Sequence, residues 1–197
     1  IEIKKQYKSC DWIFTDKVIA IKNLQRNEKS AGKARKKILK YLKRRKRSKP
    51  LNGILLTVPI NDLLLLNHEE RQTKISKFNS EVRDLQHHVN AHIPIYLILT
   101  KMDVIEGFTE FFQDLSQEEL TQVWGITTPY QSQPETIATL EEIHREYENL
   151  LSRLEQKVIY TLDGEKSIRS RAKIQSFPQQ MRLFKKALIT FISELNH

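Results

Sequence analysis

The chain has 197 residues, 39% of them hydrophobic, and a formal net charge of +9 at pH 7. This length allows one substantial core and at most two domains. The longest mainly apolar runs, at 54–60 and 93–99, are far shorter than the roughly 20 residues of a membrane helix, and residues 1–9 lack the apolar stretch of a signal peptide. The single cysteine excludes an internal disulfide and is typical of a reducing cytosol. Because the chain does not start with Met, we expect it to be part of a longer protein.

The N-terminal region predicts a β-hairpin. Residues 8–21 are rich in aromatic and β-branched side chains on both sides of Thr15-Asp16-Lys17, which suits two short strands joined by a turn. A polar loop is expected over 22–29.

A strongly basic segment follows and dominates the charge of the chain. Residues 33–49 contain 11 of the 33 Lys and Arg residues and no Asp or Glu. Ala34, Ile38, Tyr41 and Leu42 recur at helical spacing, which predicts an amphipathic helix over about 30–45 with its apolar stripe on the sheet. Its outward basic surface consists of Lys36, Lys37, Lys40, Lys43, Arg44, Arg45, Lys46 and Arg47.

Three roles are open for this basic surface: a solvated helix face, a contact with an anionic membrane or acidic partner, and nucleic-acid binding. Nucleic acid is disfavoured because Tyr41 is the one stacking aromatic and no known nucleic-acid motif accompanies it. The Gly32-Lys33 pair is not a phosphate loop, because that motif needs Gly at 27 and a hydroxyl at 34, where the chain has Asn27 and Ala34.

The middle of the chain predicts a strand, helix and second strand. Residues 51–58 and 93–99 have the composition of buried strands, and apolar residues recur at helical spacing from about 68 to 90. A short helix is expected after Asn61-Asp62. This order predicts a parallel pair joined by a crossover, and hence an α/β fold with a parallel-sheet core and helices on its faces.

The second strand ends in candidate binding residues. Thr100, Lys101 and Asp103 emerge at its carboxyl end, where α/β domains bind ligands. An Asp carboxylate can accept from the two N–H donors of a guanine edge, and a Lys stem can lie along the purine face. The alternative is that Asp103 caps the following helix and Lys101 is solvated.

The histidines near the end of the central helix predict no metal site. No Cys lies near His87, His88 and His92, and their position suits solvation and the negative end of the helix dipole.

The last third of the chain is predicted to be helical. Ser116–Glu119 has the pattern of a capping box, a long helix is expected over about 135–160, and a final helix is expected from Pro178 to Leu195. We therefore predict an α/β domain over 1–130 and a helical extension over 131–197.

Six motifs together closely resemble the IcmF/TssM family, large inner-membrane proteins of bacterial type VI secretion and of the Dot/Icm type IVB apparatus. They occur in the family's order and cover nearly the whole chain. The motifs are Cys-Asp-Trp-Ile-Phe-Thr-Asp at 10–16, Leu-Asn-Gly-Ile-Leu-Leu-Thr-Val at 51–58, Leu-Thr-Lys-Met-Asp at 99–103, Gly-Phe-Thr-Glu-Phe-Phe-Gln-Asp-Leu at 107–115, Gln-Val-Trp-Gly-Ile-Thr at 122–127 and Phe-Pro-Gln-Gln-Met at 177–181.

The resemblance implies a P-loop GTPase-like α/β domain with a helical extension. It also implies a place at the cytoplasmic face of the bacterial inner membrane. The implied partners are a DotU/TssL-type inner-membrane protein and other components of the secretion system. Fold alone does not imply hydrolysis.

Departures from the family pattern argue against catalysis by this chain. No phosphate loop fits within the nine residues before Cys10, and Lys22, Asn23, Leu24 and Gln25 stand where members often have Asp-Thr-Ala-Gly. A protonated lysine cannot hold Mg²⁺, so the GTPase-like domain is partial and degenerate. Lys22 also favours a Dot/Icm-like member over a type VI one.

We therefore expect a structural and interaction module rather than an enzyme. GTP or GDP with Mg²⁺ is expected only if a phosphate loop lies upstream. The alternative is a GTP-binding or GTP-hydrolysing domain whose phosphate loop lies outside this chain.

Overall fold

The computed structural model describes residues 3–7, 10–23, 40, 44, 51–89, 93–127, 140–164 and 167–195. The predicted basic helix lies outside these ranges except for Lys40 and Arg44, which are helical and exposed. The chain forms two compact units, one of residues 1–54 and 80–96 and the other of residues 55–79 and 97–197. The predicted division at residue 130 stays a prediction.

The N-terminal strands form a three-stranded antiparallel sheet. Its order is β1 (Ile3–Tyr7), β2 (Cys10–Phe14) and β3 (Ile19–Asn23). The turn is closed by Thr15, whose amide donates to the Val18 carbonyl and whose hydroxyl accepts from the Val18 amide, both at 2.9 Å. The predicted hairpin is thus confirmed. The structure adds β1, whose sequence Ile-Lys-Lys-Gln-Tyr lacks the apolar alternation that marks a strand.

The predicted strand, helix and strand are also confirmed. β4 (Ile54–Pro59) leads into α1 (Ile60–Leu65) and α2 (His68–Val89), and β5 (Ile95–Thr100) pairs with β4 in a small parallel sheet. The mixed α/β class is therefore correct.

The predicted start of α1 is wrong. This helix begins at Ile60, with extended Pro59 in the N-cap position and no side-chain cap. Asp62 lies in the first turn, where its carboxylate accepts from Lys74 Nζ at 2.7 Å instead of capping the helix.

The expectation that β5 is buried on both faces is wrong. Leu97 and Leu99 pack against the core, whereas Tyr96 and Ile98 are 55% and 39% exposed. β4 alternates in the same way, and Leu55 is 59% exposed. In a uniformly apolar run, composition alone cannot reveal this alternation.

The helical part of the chain supplies most of the core. It consists of α3 (Phe108–Phe112), α4 (Gln117–Leu120), α5 (Leu140–Gly164) and α6 (Ile168–Leu195). In the described residues, none of the helices is long and apolar enough to cross a membrane. The fully or nearly fully buried core side chains include Ile60, Phe111, Tyr147, Leu151, Ile174, Phe177 and Met181.

Helices α5 and α6 run antiparallel and are joined by polar contacts outside their apolar seam. The Tyr147 hydroxyl donates to the Met181 carbonyl at 2.8 Å, and Lys185 Nζ donates to Glu148 at 2.6 Å. The bond from Lys185 holds the pKa of Glu148 below its usual value. Burial raises the pKa of the Tyr147 hydroxyl, which therefore stays protonated and acts as a donor.

The predicted start of the last helix at Pro178 is wrong. α6 begins at Ile168, and Pro178 is buried inside it. An internal proline removes the helical hydrogen bond to the carbonyl four residues earlier, that of Ile174, at a cost of about 3 kcal/mol. The buried Ile174 and Phe177 upstream continue the apolar stripe, and their burial offsets that cost. The other long helix agrees with prediction over 140–160 and continues to Gly164.

The end of α6 is fixed to α2 by a bidentate ion pair. Arg71 Nε and Nη2 donate to the two carboxylate oxygens of Glu194 at 2.7 and 3.0 Å. This hydrogen bonding lowers the pKa of Glu194, so the carboxylate stays charged.

The α3–α6 junction holds the segment after β5 against the helical extension. Gly107 precedes α3 with φ 86°, and a Cβ built on it lies 2.3 Å from the Lys173 carbonyl oxygen. Lys173 Nζ donates to Glu110 at 2.6 Å and lowers the pKa of that carboxyl. An aromatic cluster closes the junction; it consists of Phe108, Phe111, Phe112, Trp124 and Phe177.

Helix α4 is capped at its N-terminus and paired with α5. The Ser116 hydroxyl accepts from the Glu119 amide and the Glu119 carboxylate accepts from the Ser116 amide, so the predicted capping box is confirmed. The Glu119 carboxylate also accepts a hydrogen bond from Lys157 Nζ on α5, at 3.4 Å.

Candidate functional site

The predicted binding residues lie together in the loop that follows β5. Thr100 is the last residue of β5 and is half-buried, whereas Lys101 and Asp103 are exposed. A 3-10 turn over Met102–Val104 places Asp103 three residues beyond the strand. The loop thus presents a carboxylate and an ammonium at the carboxyl end of a parallel strand, where α/β folds bind ligands.

Lys101 has an unusual backbone conformation. Its φ of 59° and ψ of 41° are left-handed, and it is the one non-glycine residue with positive φ in the described ranges. That conformation costs a residue with a Cβ about 1–2 kcal/mol. Strained conformations of this kind cluster at functional loops.

The structure does not support Asp103 as a helix cap. Lys101 occupies the N-cap position of the 3-10 turn and makes no side-chain cap bond, and Asp103 lies inside the turn. The turn is closed by main-chain bonds, including the one from the Ile105 amide to the Met102 carbonyl at 3.0 Å. Among the described residues, the Asp103 carboxylate has no hydrogen-bond or ion-pair partner.

The groups that would contact phosphate lie mostly outside the described residues. Lys22 and Asn23 end β3, and Lys22 is exposed. Leu24, Gln25 and the Gly32-Lys33 pair lie outside the described ranges. The loop after β5 is therefore the only predicted nucleotide contact whose geometry the structure gives.

The histidines and the basic surface give little further geometry. His87 is exposed on α2, His88 belongs to the same helix, and His92 lies outside the described residues. Within the described ranges no group of three or more His, Cys, Asp or Glu side chains is placed to hold a metal ion. Of the eight basic-surface residues, the structure describes only Lys40 and Arg44.

Sequence reasoning missed the α3–α6 junction. Gly107 and three phenylalanines in five positions were visible as a motif, but nothing local showed that Gly107 contacts the backbone of a helix more than sixty residues later. A glycine directly before such an aromatic group is the signal that could have indicated a close backbone approach.

Comparison with known proteins gives the family. The family model of the IcmF-related N-terminal domain matches residues 28–197. The type VI secretion system component TssM1 of Pseudomonas aeruginosa strain PAO1 is 29% identical over 192 residues, which cover 94% of this chain and 17% of that protein. This relative comes from a type VI system, not from the Dot/Icm-like group that Lys22 favoured. No solved structure matches the chain.

The chain thus spans about a sixth of the curated relative it matches. The family model covers most of the chain, including β4, β5, the loop with Asp103 and the α3–α6 junction. This chain belongs to the IcmF/TssM family, within the IcmF-related N-terminal domain.

Proposed function

We propose that this domain is a structural and interaction module of a bacterial secretion-system membrane complex. The family match over residues 28–197 carries the proposal, and the named relative is a type VI secretion system component. The lysine at 22, where a Mg²⁺-binding Asp often stands, supports a role without phosphoryl transfer. In this proposal the domain lies at the cytoplasmic face of the inner membrane, binds a DotU/TssL-type protein there, and its basic surface at 36–47 faces anionic lipid or an acidic partner.

Co-purification tests this role. The full-length protein, co-expressed with a DotU/TssL-type partner from its own organism and extracted in detergent, is expected to retain that partner on an affinity tag. The Asp103→Ala variant is expected to retain it equally, because the proposed role needs no nucleotide. Failure of the unmodified protein to associate in membranes that contain both partners would contradict the proposal.

A second candidate function, guanine-nucleotide binding, is favoured by the loop after β5. The left-handed Lys101 suits a base-reading loop, and so does the Asp103 carboxylate, which has no partner in the part of the chain that the structure describes. Thr100 stands where many guanine sites have Asn and provides a hydroxyl in place of an amide.

Titration of the full-length protein with fluorescent GDP and Mg²⁺ tests this function. If the loop reads guanine, binding saturates and Asp103→Ala abolishes it, whereas Asp114→Ala, a change at another exposed carboxylate of the same region, leaves it unchanged. Absence of binding at high micromolar protein would remove the guanine hypothesis and leave the interaction role intact.

A further inference from the structure

The loop after β5 consists of consecutive main-chain turns that lead into α3. Each turn is closed by a bond from an amide to a carbonyl oxygen. These bonds join Val104 to Lys101 at 3.3 Å, Ile105 to Met102 at 3.0 Å and Phe108 to Ile105 at 3.1 Å. Because the turns follow one another without a spacer, a shift of α3 is expected to move Lys101 and Asp103.

The left-handed backbone of Lys101, with φ 59°, needs support from its surroundings. Conformations of this kind persist only where the neighbouring structure holds them in place. Part of the support comes from below, since Ile105 is 8% exposed in the core and Met102 packs against the same core. The rest comes from the far end of the loop, where α3 begins at Phe108.

Helix α3 is too short to fix its own position. It has five residues, and a helix of that length is not stable by itself. Three contacts with α6 hold it. Lys173 Nζ donates to Glu110 at 2.6 Å, Gly107 lies against the Lys173 carbonyl, and the Phe111 ring centroid lies 4.9 Å from that of Phe177. The turn of α6 from Lys173 to Phe177 therefore sets where α3 lies.

We propose that α6 positions the loop after β5 for guanine-nucleotide binding, and that the Lys173–Glu110 ion pair is the polar contact through which it does so. Lys173 acts through α3, so it is a positioning residue and not a ligand contact. For its ligand the inference rests on the second candidate function, whereas the dependence of the loop on α6 is measurable without nucleotide. Because such coupling is reciprocal, a partner that shifts α6 would change nucleotide affinity.

Competition binding to the full-length Lys173→Gln variant tests the proposal. Fluorescent GDP is displaced by unlabelled GDP or by inosine diphosphate, which lacks the exocyclic amino group that a guanine offers to the Asp103 carboxylate. Loss of the ion pair is expected to weaken GDP binding about threefold. The ratio of GDP affinity to inosine diphosphate affinity should also fall toward one. A general loss of folded protein would leave this ratio unchanged.

Two matched variants separate positioning from the general effect of losing an ion pair. Lys173→Arg keeps a positive charge opposite Glu110 and should restore both the affinity and the ratio. Lys185→Gln removes an ion pair of the same 2.6 Å length from the same helix, but its partner is Glu148 on α5. The Lys185 variant should therefore bind both nucleotides as the unmodified protein does.

Amide hydrogen exchange tests the positioning role without nucleotide. The Val104 and Ile105 amides close the turns of the loop, so their exchange should be about threefold faster in Lys173→Gln and unchanged in Lys185→Gln. If the unmodified protein binds no GDP but shows this pattern of exchange, the guanine function fails while the control of the loop by α6 is supported. Equal exchange in the two variants would overturn the inference, as would GDP binding that Lys173→Gln leaves unchanged in both affinity and ratio.

Discussion

Gly107→Ala is expected to lower the free energy of unfolding of this domain by about 2–5 kcal/mol. The φ of 86° at Gly107 is left-handed, which costs a residue with a Cβ about 1–2 kcal/mol. The added Cβ would also lie 2.3 Å from the Lys173 carbonyl oxygen and 3.0 Å from the Phe177 Cβ. Because the first of these atoms is helix backbone, α3 must move away from α6 to relieve the overlap.

Thermal unfolding followed by circular dichroism measures this effect, with Gly125→Ala as the control. A Cβ at Gly125 meets no atom within 4 Å, and the residue is exposed. For a domain of this size we expect the melting temperature of the Gly107 variant to fall by roughly 5–20 °C, and that of the Gly125 variant to change little. If the two variants melt within a degree of each other, the result would contradict the close approach of Gly107 to the backbone of α6.

The elements that could be predicted are those whose signals are local. The hairpin around Thr15, the helix from His68 and the capping box at Ser116 each depend on side chains within a few residues of one another. Their geometry is set by turn, cap and periodicity rules that act within a single element.

The errors arose where distant residues decide the outcome. Pro178 has the local character of a helix start, but burial of Ile174 and Phe177 in the core continues the helix through it. The strand at 95–100 is apolar on both faces, so only the position of the core shows that Tyr96 and Ile98 face outward.

The candidate site was predictable in place but not in conformation. The position of Thr100, Lys101 and Asp103 after an apolar strand follows from the topology of α/β folds. The left-handed backbone of Lys101 does not follow from the topology, because lysine has no preference for the left-handed region of φ and ψ. Asp103 has no partner among the residues with described positions, and this depends on which side chains surround the loop, which the sequence does not show.

Phe177→Ala is expected to destabilise the domain by about 3–5 kcal/mol, the cost of removing a buried phenylalanine from a packed core. Phe177 is 0% exposed, and its ring lies 4.9 Å from Phe111 and 5.8 Å from Phe112 between centroids. The centroid of its ring also lies 6.5 Å from that of Trp124. The truncation therefore removes apolar burial and several edge and tilted ring contacts at once.

The matched control for Phe177→Ala is Leu183→Ala, on the same helix but 75% exposed. Both changes place Ala, a strong helix former, in α6, so the difference between the variants reports burial and not helix propensity. In denaturant unfolding, the midpoint of the Phe177 variant should fall clearly. The free energy of unfolding of the Leu183 variant should change by at most about 0.5 kcal/mol. Since Trp124 rests on this cluster, we also expect its fluorescence to shift to longer wavelength in folded Phe177→Ala. Equal stability of the two variants would show that the aromatic cluster does not hold the segment after β5 against the helical extension.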